Sequence, residues 1–166
     1  MIQPGDIGFH RSHRPMGLFV LVGTWLKFRR ARWTHQFIIG RIEDGQAYVI
    51  QAQMKGVTDS MTLDELRAMG DCEVIAPPEE CDRDRIVDFC ELQLGDPYGL
   101  LSDLAMGIDL LAWNWIPSFR SARKQTWQCS ALVNEALRYA GWYHPWLDIY
   151  EILPDESYAA LTKERK

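Results

Sequence analysis

The sequence predicts an α+β domain, a small antiparallel sheet packed with helices. Three observations predict it. Short β-type runs cluster in the first half of the chain, and two of them are separated by Glu43-Asp44-Gly45, a hairpin signal. Segments with helical spacing, and with recognisable start and stop residues, dominate the second half. The 166 residues, 47% apolar and 25% charged, are enough for one hydrophobic core and too apolar for a disordered chain. With no repeat, low-complexity stretch or linker, residues 1–166 read as a single domain.

The elements follow in order. Pro4-Gly5-Asp6 is a turn that leads into a strand over 7–10. Leu18, Val22, Trp25 and Leu26 recur at helical spacing, and Lys27, Arg29, Arg30 and Arg32 close that segment, so 16–30 is expected to be a helix. Residues 36–41 and 47–52 are strands, with 57–60 extending the sheet. Thr62 followed by Glu65 is a capping box and opens a short helix to about Met69. A strand over 72–76 ends at Pro77-Pro78. Residues 82–94 form an amphipathic helix with Ile86, Phe89, Cys90 and Leu94 on one face, broken by Gly95-Asp96-Pro97. The charges Asp82, Arg83, Asp84, Arg85 and Asp88 read as its solvated side. Residues 100–112 are apolar and helical, 113–127 a tryptophan-bearing loop, and 130–140 a helix stopped by Gly141. From His144 the tail reads as loop, with a last turn after Asp155-Glu156.

Bulk properties exclude several classes. A net charge of −5 and a pI near 5.3 argue against nucleic-acid binding. The first residues carry no charged segment followed by an apolar run, and the apolar stretch at 16–26 is about half the length of a membrane span. A cytoplasmic location is the default expectation, with delivery by a phage or secretion system left open. The four cysteines, Cys72, Cys81, Cys90 and Cys129, form no C-x-x-C pair, and His10-x-x-His13 has no third ligand nearby. No metal or cofactor is therefore expected. Cys72, Cys81 and Cys90 read as buried, inert side chains. Nothing marks an oligomer interface, so a monomer is expected.

The residues that carry chemistry are few. Cys129 heads a helix in Trp127-Gln128-Cys129-Ser130-Ala131-Leu132-Val133, where the positive end of the helix dipole favours thiolate. His35, in Thr34-His35-Gln36-Phe37-Ile38-Ile39-Gly40, lies on a strand and is the candidate base. Gln51 is a polar side chain among apolar ones in Tyr48-Val49-Ile50-Gln51-Ala52. On a neighbouring antiparallel strand and facing the same way, it would accept the imidazole N–H. Backbone amides at the helix start would form an oxyanion hole.

In this order the residues resemble the circularly permuted, YiiX-like branch of the NlpC-like papain-fold cysteine hydrolases, related more distantly to lecithin retinol acyltransferase. The resemblance runs from Pro4 to about Gly141. It comprises Pro4-Gly5-Asp6-Ile7-Gly8, a helical excursion, the His35 and Gln51 strands, Gly56-Val57, Leu94-Gly95-Asp96-Pro97-Tyr98 and the Cys129 helix. It implies a permuted papain-like fold with His35 as base, Cys129 as nucleophile, Gln51 as the third polar residue, and Tyr98 near the cleft. Tyr98 and Trp127 are the candidate substrate-binding residues. Two positions depart from the pattern. The third residue is often Glu in the family, and Gln51 cannot carry charge. The residue after the histidine is often small, and Gln36 is not.

The expected activity is cleavage of an amide, ester or thioester through an acyl-enzyme on Cys129. The substrate would be a cell-wall peptide or an acylated small molecule or lipid. The basic loop at 118–124 reads either as a solvated loop or as a surface that steers an anionic substrate. The alternative is a papain-fold binding or structural module of little or no catalytic power, for which the neutral Gln51 argues. A peripheral membrane contact through the 16–30 segment and its arginines is a variant of that alternative.

Overall fold

The computed structural model describes residues 1–12, 32–98, 127–143 and 152–163. Those residues hold β1 (Ile7–Ser12), β2 (His35–Glu43), β3 (Gln46–Gln53), β4 (Gly56–Thr62), α1 (Leu63–Met69), β5 (Gly70–Ile75), α2 (Arg83–Leu92), α3 (Cys129–Tyr139) and α4 (Pro154–Lys163). The helices expected over 16–30 and 100–112, the basic loop at 118–124 and His13 lie outside the described residues.

The strands form one antiparallel sheet in the order β4-β3-β2-β1-β5. The β2–β3 turn places Asp44 at φ 50° and Gly45 at φ 78°. Two successive left-handed residues are what a tight hairpin matching the sheet twist requires, and Asp-Gly supplies them with little strain.

Each face of the sheet has its own apolar cluster. On one face Ile7, Phe9, Ile38, Ile50, Ala52 and Val57 pack with Ile86 and Cys90 of α2, Leu132, Val133, Ala136 and Leu137 of α3, and Leu161 of α4. On the other, Phe37, Ile39 and Val49 pack with Leu63 and Leu66 of α1. Strand alternation sorts the side chains between these faces. Gly8 is needed for the second cluster, because a Cβ there would lie 2.0 Å from the Phe37 ring.

Local signals set the helix starts. Thr62 and Glu65 close the capping box on α1, with Glu65 N–H donating to Thr62 Oγ1 at 3.2 Å and Thr62 N–H to Glu65 Oε2 at 2.7 Å. Asp82 caps α2 by accepting from the N–H groups of Asp84 and Arg85. Arg83 is not merely solvated: it donates to buried Asp6 at 2.7 Å and to the Pro4 carbonyl at 3.1 Å, fixing the chain that leads into β1.

The tail differs from expectation. Residues 154–163 form a ten-residue helix, not a single last turn. Pro154 occupies the first helical position, where a missing N–H costs nothing, and Glu156 accepts from Leu153 N–H at 2.8 Å. Tertiary contacts hold α4 in place: Tyr158 packs against the rings of Phe9 and Trp33, and its hydroxyl donates to Glu73 at 2.7 Å.

Candidate active site

The site is built at the end of the sheet where β2 begins and β3 finishes. His35 is the first residue of β2 and is half-buried; Gln51 lies near the end of β3 and is 1% exposed. His35 Nε2 and Gln51 Oε1 are 2.8 Å apart. The Gln51 amide nitrogen points the other way, to Met61 Sδ at 3.5 Å, which makes Oε1 the atom facing the ring. An amide oxygen only accepts, so Nε2 carries the proton and Nδ1 of a neutral imidazole keeps a lone pair. That is the tautomer a general base requires.

The faces are distinct. Gln36, the next residue, is fully buried toward α3 and α4. Alternation along β2 therefore sends His35 to the side of Phe37, at the open end of the strand. His10 lies directly opposite His35 in the β1–β2 ladder and opposite Cys72 in the β1–β5 ladder. Among the described residues no group of three His, Cys, Asp or Glu side chains is placed to hold a metal.

Cys129 is the first residue of α3, which packs across β2 and β3. A relay of backbone bonds positions it. Val57 at the start of β4 exchanges bonds with the 95–96 turn: its N–H donates to the Asp96 carbonyl at 2.9 Å, and its carbonyl accepts from Gly95 at 3.0 Å. Gly56 has φ +108°, and a Cβ there would lie 2.6 Å from the Asp96 oxygen, so this approach demands glycine. Trp127 N–H then donates to the Pro97 carbonyl at 3.2 Å, and Tyr98 and Trp127 form a parallel bridge. The start of α3, two residues on, is thereby tied to the end of the sheet that carries His35 and Gln51.

Tyr98 and Trp127 flank that start. The Trp127 indole N–H donates to Asp96 at 3.0 Å and to Gln93 at 3.2 Å, and its ring meets Phe89 edge-on. These partners hold the ring in one orientation. Gln93 is not singled out in the sequence, and Asp96 stands there only as part of the segment that breaks the preceding helix.

Gln128, the residue before Cys129, is the N-cap, and its side chain makes no capping bond. It is 7% exposed, and its amide nitrogen has no partner among the described residues. The Cys129 sulfur lies 3.9 Å from the Ser130 hydroxyl.

The other thiols sit in different environments. Burial pushes Cys72 up to about 11, against a smaller opposing pull from Arg67. Burial raises Cys90 further, and Glu91 adds to the effect. Cys90 is fully buried as expected, whereas Cys72 and Cys81 are only partly so. None of the four cysteines is in a disulfide.

Arg32, one of the arginines that the membrane-contact alternative would use, is engaged within the fold. It pairs with Glu73 at 3.0 Å and stacks over Trp33 at 4.3 Å. Among the described residues no helix is long and apolar enough to cross a membrane. Compared with protein-family models and with curated proteins, the chain matches none.

Proposed function

We propose that the chain is a cysteine hydrolase of permuted papain-like fold, in which Cys129, His35 and Gln51 act as nucleophile, base and orienting residue. The observation that carries the reading is the 2.8 Å His35–Gln51 contact at the sheet end to which the start of α3 is tied. Gln51 holds the proton on Nε2, and the Nδ1 lone pair takes the thiol proton. The body of α3 covers the face of the sheet opposite His35, so this reading requires thiol and imidazole to approach one another around the open end of β2.

The chemistry runs in two halves. The Cys129 thiolate attacks the carbonyl carbon of an amide, ester or thioester, and a C–S bond forms. The first-turn amides of α3 receive the developing oxyanion. The bond to the leaving group breaks, and the imidazolium of His35 returns its proton to that group. Neutral His35 then takes a proton from water, the resulting oxygen attacks the thioester, and the Cys129 thiolate departs. A different acceptor in place of water gives acyl transfer. Tyr98 and Trp127, beside the nucleophile, are the proposed substrate contacts, for a peptide or an acylated small molecule or lipid.

One observation favours a second reading. A neutral Gln51 stabilises an imidazolium less than a carboxylate would, which suits a papain-fold binding module with little catalysis. An activated ester separates the two. With p-nitrophenyl acetate, the hydrolase reading expects a burst of nitrophenolate and an acetyl adduct on Cys129. The burst is lost in Cys129→Ser and slowed in His35→Ala. An absent adduct, or one spread evenly over the four cysteines, overturns it in favour of the binding module.

A further inference from the structure

We propose that α4 is a positioning helix for the candidate site and that Ser157 is the residue through which it acts; this rests on the reading of Cys129 and His35 given above. A directional hydrogen-bond chain crosses the interior. Gln36 Nε2–H donates to Ser157 Oγ at 2.8 Å, and the Ser157 hydroxyl donates to Asn134 Oδ1 at 3.2 Å. Asn134 Nδ2–H then donates to the Ser130 carbonyl at 2.8 Å. The chain begins one residue after His35 and ends one residue after Cys129. All four residues are buried, none more than 4% exposed.

The same helix grips the strand on the other side of His35. Asp155, two residues before Ser157, accepts from the N–H groups of Arg32 and Trp33 at 3.1 to 3.3 Å. The backbone that presents His35 is thus held by α4 at 32–33 and again at 36. Through Asn134 the same contact reaches the first turn of α3.

Physical chemistry favours a positioning role over simple packing. Buried amides and hydroxyls add little net stability compared with apolar side chains of the same shape, and each is costly when orphaned. What the buried chain does supply is one geometry, because each donor along it has one acceptor at one distance, while Gln36 Oε1 has no partner among the described residues. Here that geometry sets the start of α3 against the first residues of β2. Thiolate–imidazole pairing depends on that separation more steeply than folding does. Gln36 is long for this reason: a small residue at that position could not reach Ser157.

The test is the pH–rate profile of Cys129 alkylation by iodoacetamide in the full chain, with folding checked by near-UV circular dichroism. Wild type, His35→Ala, Ser157→Ala and Gln36→Met are compared. Tyr158→Phe is the control, since it removes a bond from α4 without touching the chain. The expected result is a wild-type profile that depends on His35. In Ser157→Ala and Gln36→Met it shifts in the same direction as in His35→Ala, with labelling at pH 6 slowed roughly threefold or more. Tyr158→Phe keeps the wild-type profile. Should Ser157→Ala not fold, Gln36→Met reads the same chain from the β2 side. Variants that lose stability but keep the wild-type profile overturn the positioning role and leave the hydrolase reading standing. A wild-type profile indifferent to His35 overturns that reading, and the positioning role with it.

Discussion

Gln51 holds His35 by its amide oxygen, not its amide nitrogen, because the nitrogen is occupied by the Met61 sulfur. The consequence is a fixed tautomer. Gln51→Ala removes the acceptor that Nε2–H meets. We expect it to destabilise the fold by about 1–2 kcal/mol, through the lost bond and the space left behind. The same change should slow Cys129 alkylation near neutral pH. Urea unfolding and labelling kinetics check the two effects separately. Full retention of both would mean that the contact orients nothing.

Gly8→Ala is expected to be among the most damaging single-methyl changes in the chain. The added carbon would sit 2.0 Å from the Phe37 ring, beside the α1 cluster and two residues from His35. Displacing a fully buried ring from a packed cluster costs about 1–3 kcal/mol or more. A fall in the urea midpoint with unchanged slope would show it, whereas an unchanged midpoint would mean that the Phe37 cluster repacks freely.

Asp155→Ala leaves the N–H groups of Arg32 and Trp33 without their acceptor. The expected loss is about 1–3 kcal/mol, since backbone donors next to buried Trp33 are left unpaired. Hydrogen exchange should report the change locally, with faster exchange at Trp33 and along α4 than in α1. Uniform acceleration would instead point to global destabilisation.

The buried thiols fix the sign of the alkaline stability change. Cys72 is pushed up to about 11 and Cys90 is raised further, both chiefly by burial, above the ordinary thiol range of about 8.5–9. Above about pH 9 the unfolded chain releases these protons while the folded chain keeps them, so the unfolded state binds fewer protons. Stability must then fall as pH rises from about 9 toward 11, by at most about 1.4 kcal/mol per pH unit for each group. Urea melts at pH 8, 9, 10 and 10.5 test this, and Cys90→Ala should flatten the slope. A slope that stays flat in wild type would contradict the burial of Cys90.

Legibility in the sequence followed the range of the interaction. The β2–β3 hairpin and the capping box of α1 are local, and their residues lie within four positions of one another, whereas Asp82, read from the sequence only as a solvated charge, is the cap of α2. The His35–Gln51 contact needs one further step, since a hairpin brings residues sixteen apart onto facing strands. Helix α4 was harder to read because its apolar side is short, and its stability comes from Asp155, Ser157 and Tyr158 reaching 85 to 123 residues back along the chain. Gln36 shows the same limit. As sequence it is only an oversized residue after a histidine; its partner Ser157 is 121 positions away.

The central claim is that His35 activates the Cys129 thiol. The most direct measurement is the pH–rate profile of iodoacetamide labelling, mapped to Cys129 by mass spectrometry, in wild type and His35→Ala. The account predicts an apparent pKa for Cys129 well below the reference of about 8.5, rising when His35 is removed. A Cys129 that titrates at the reference value and ignores the loss of His35 would contradict it.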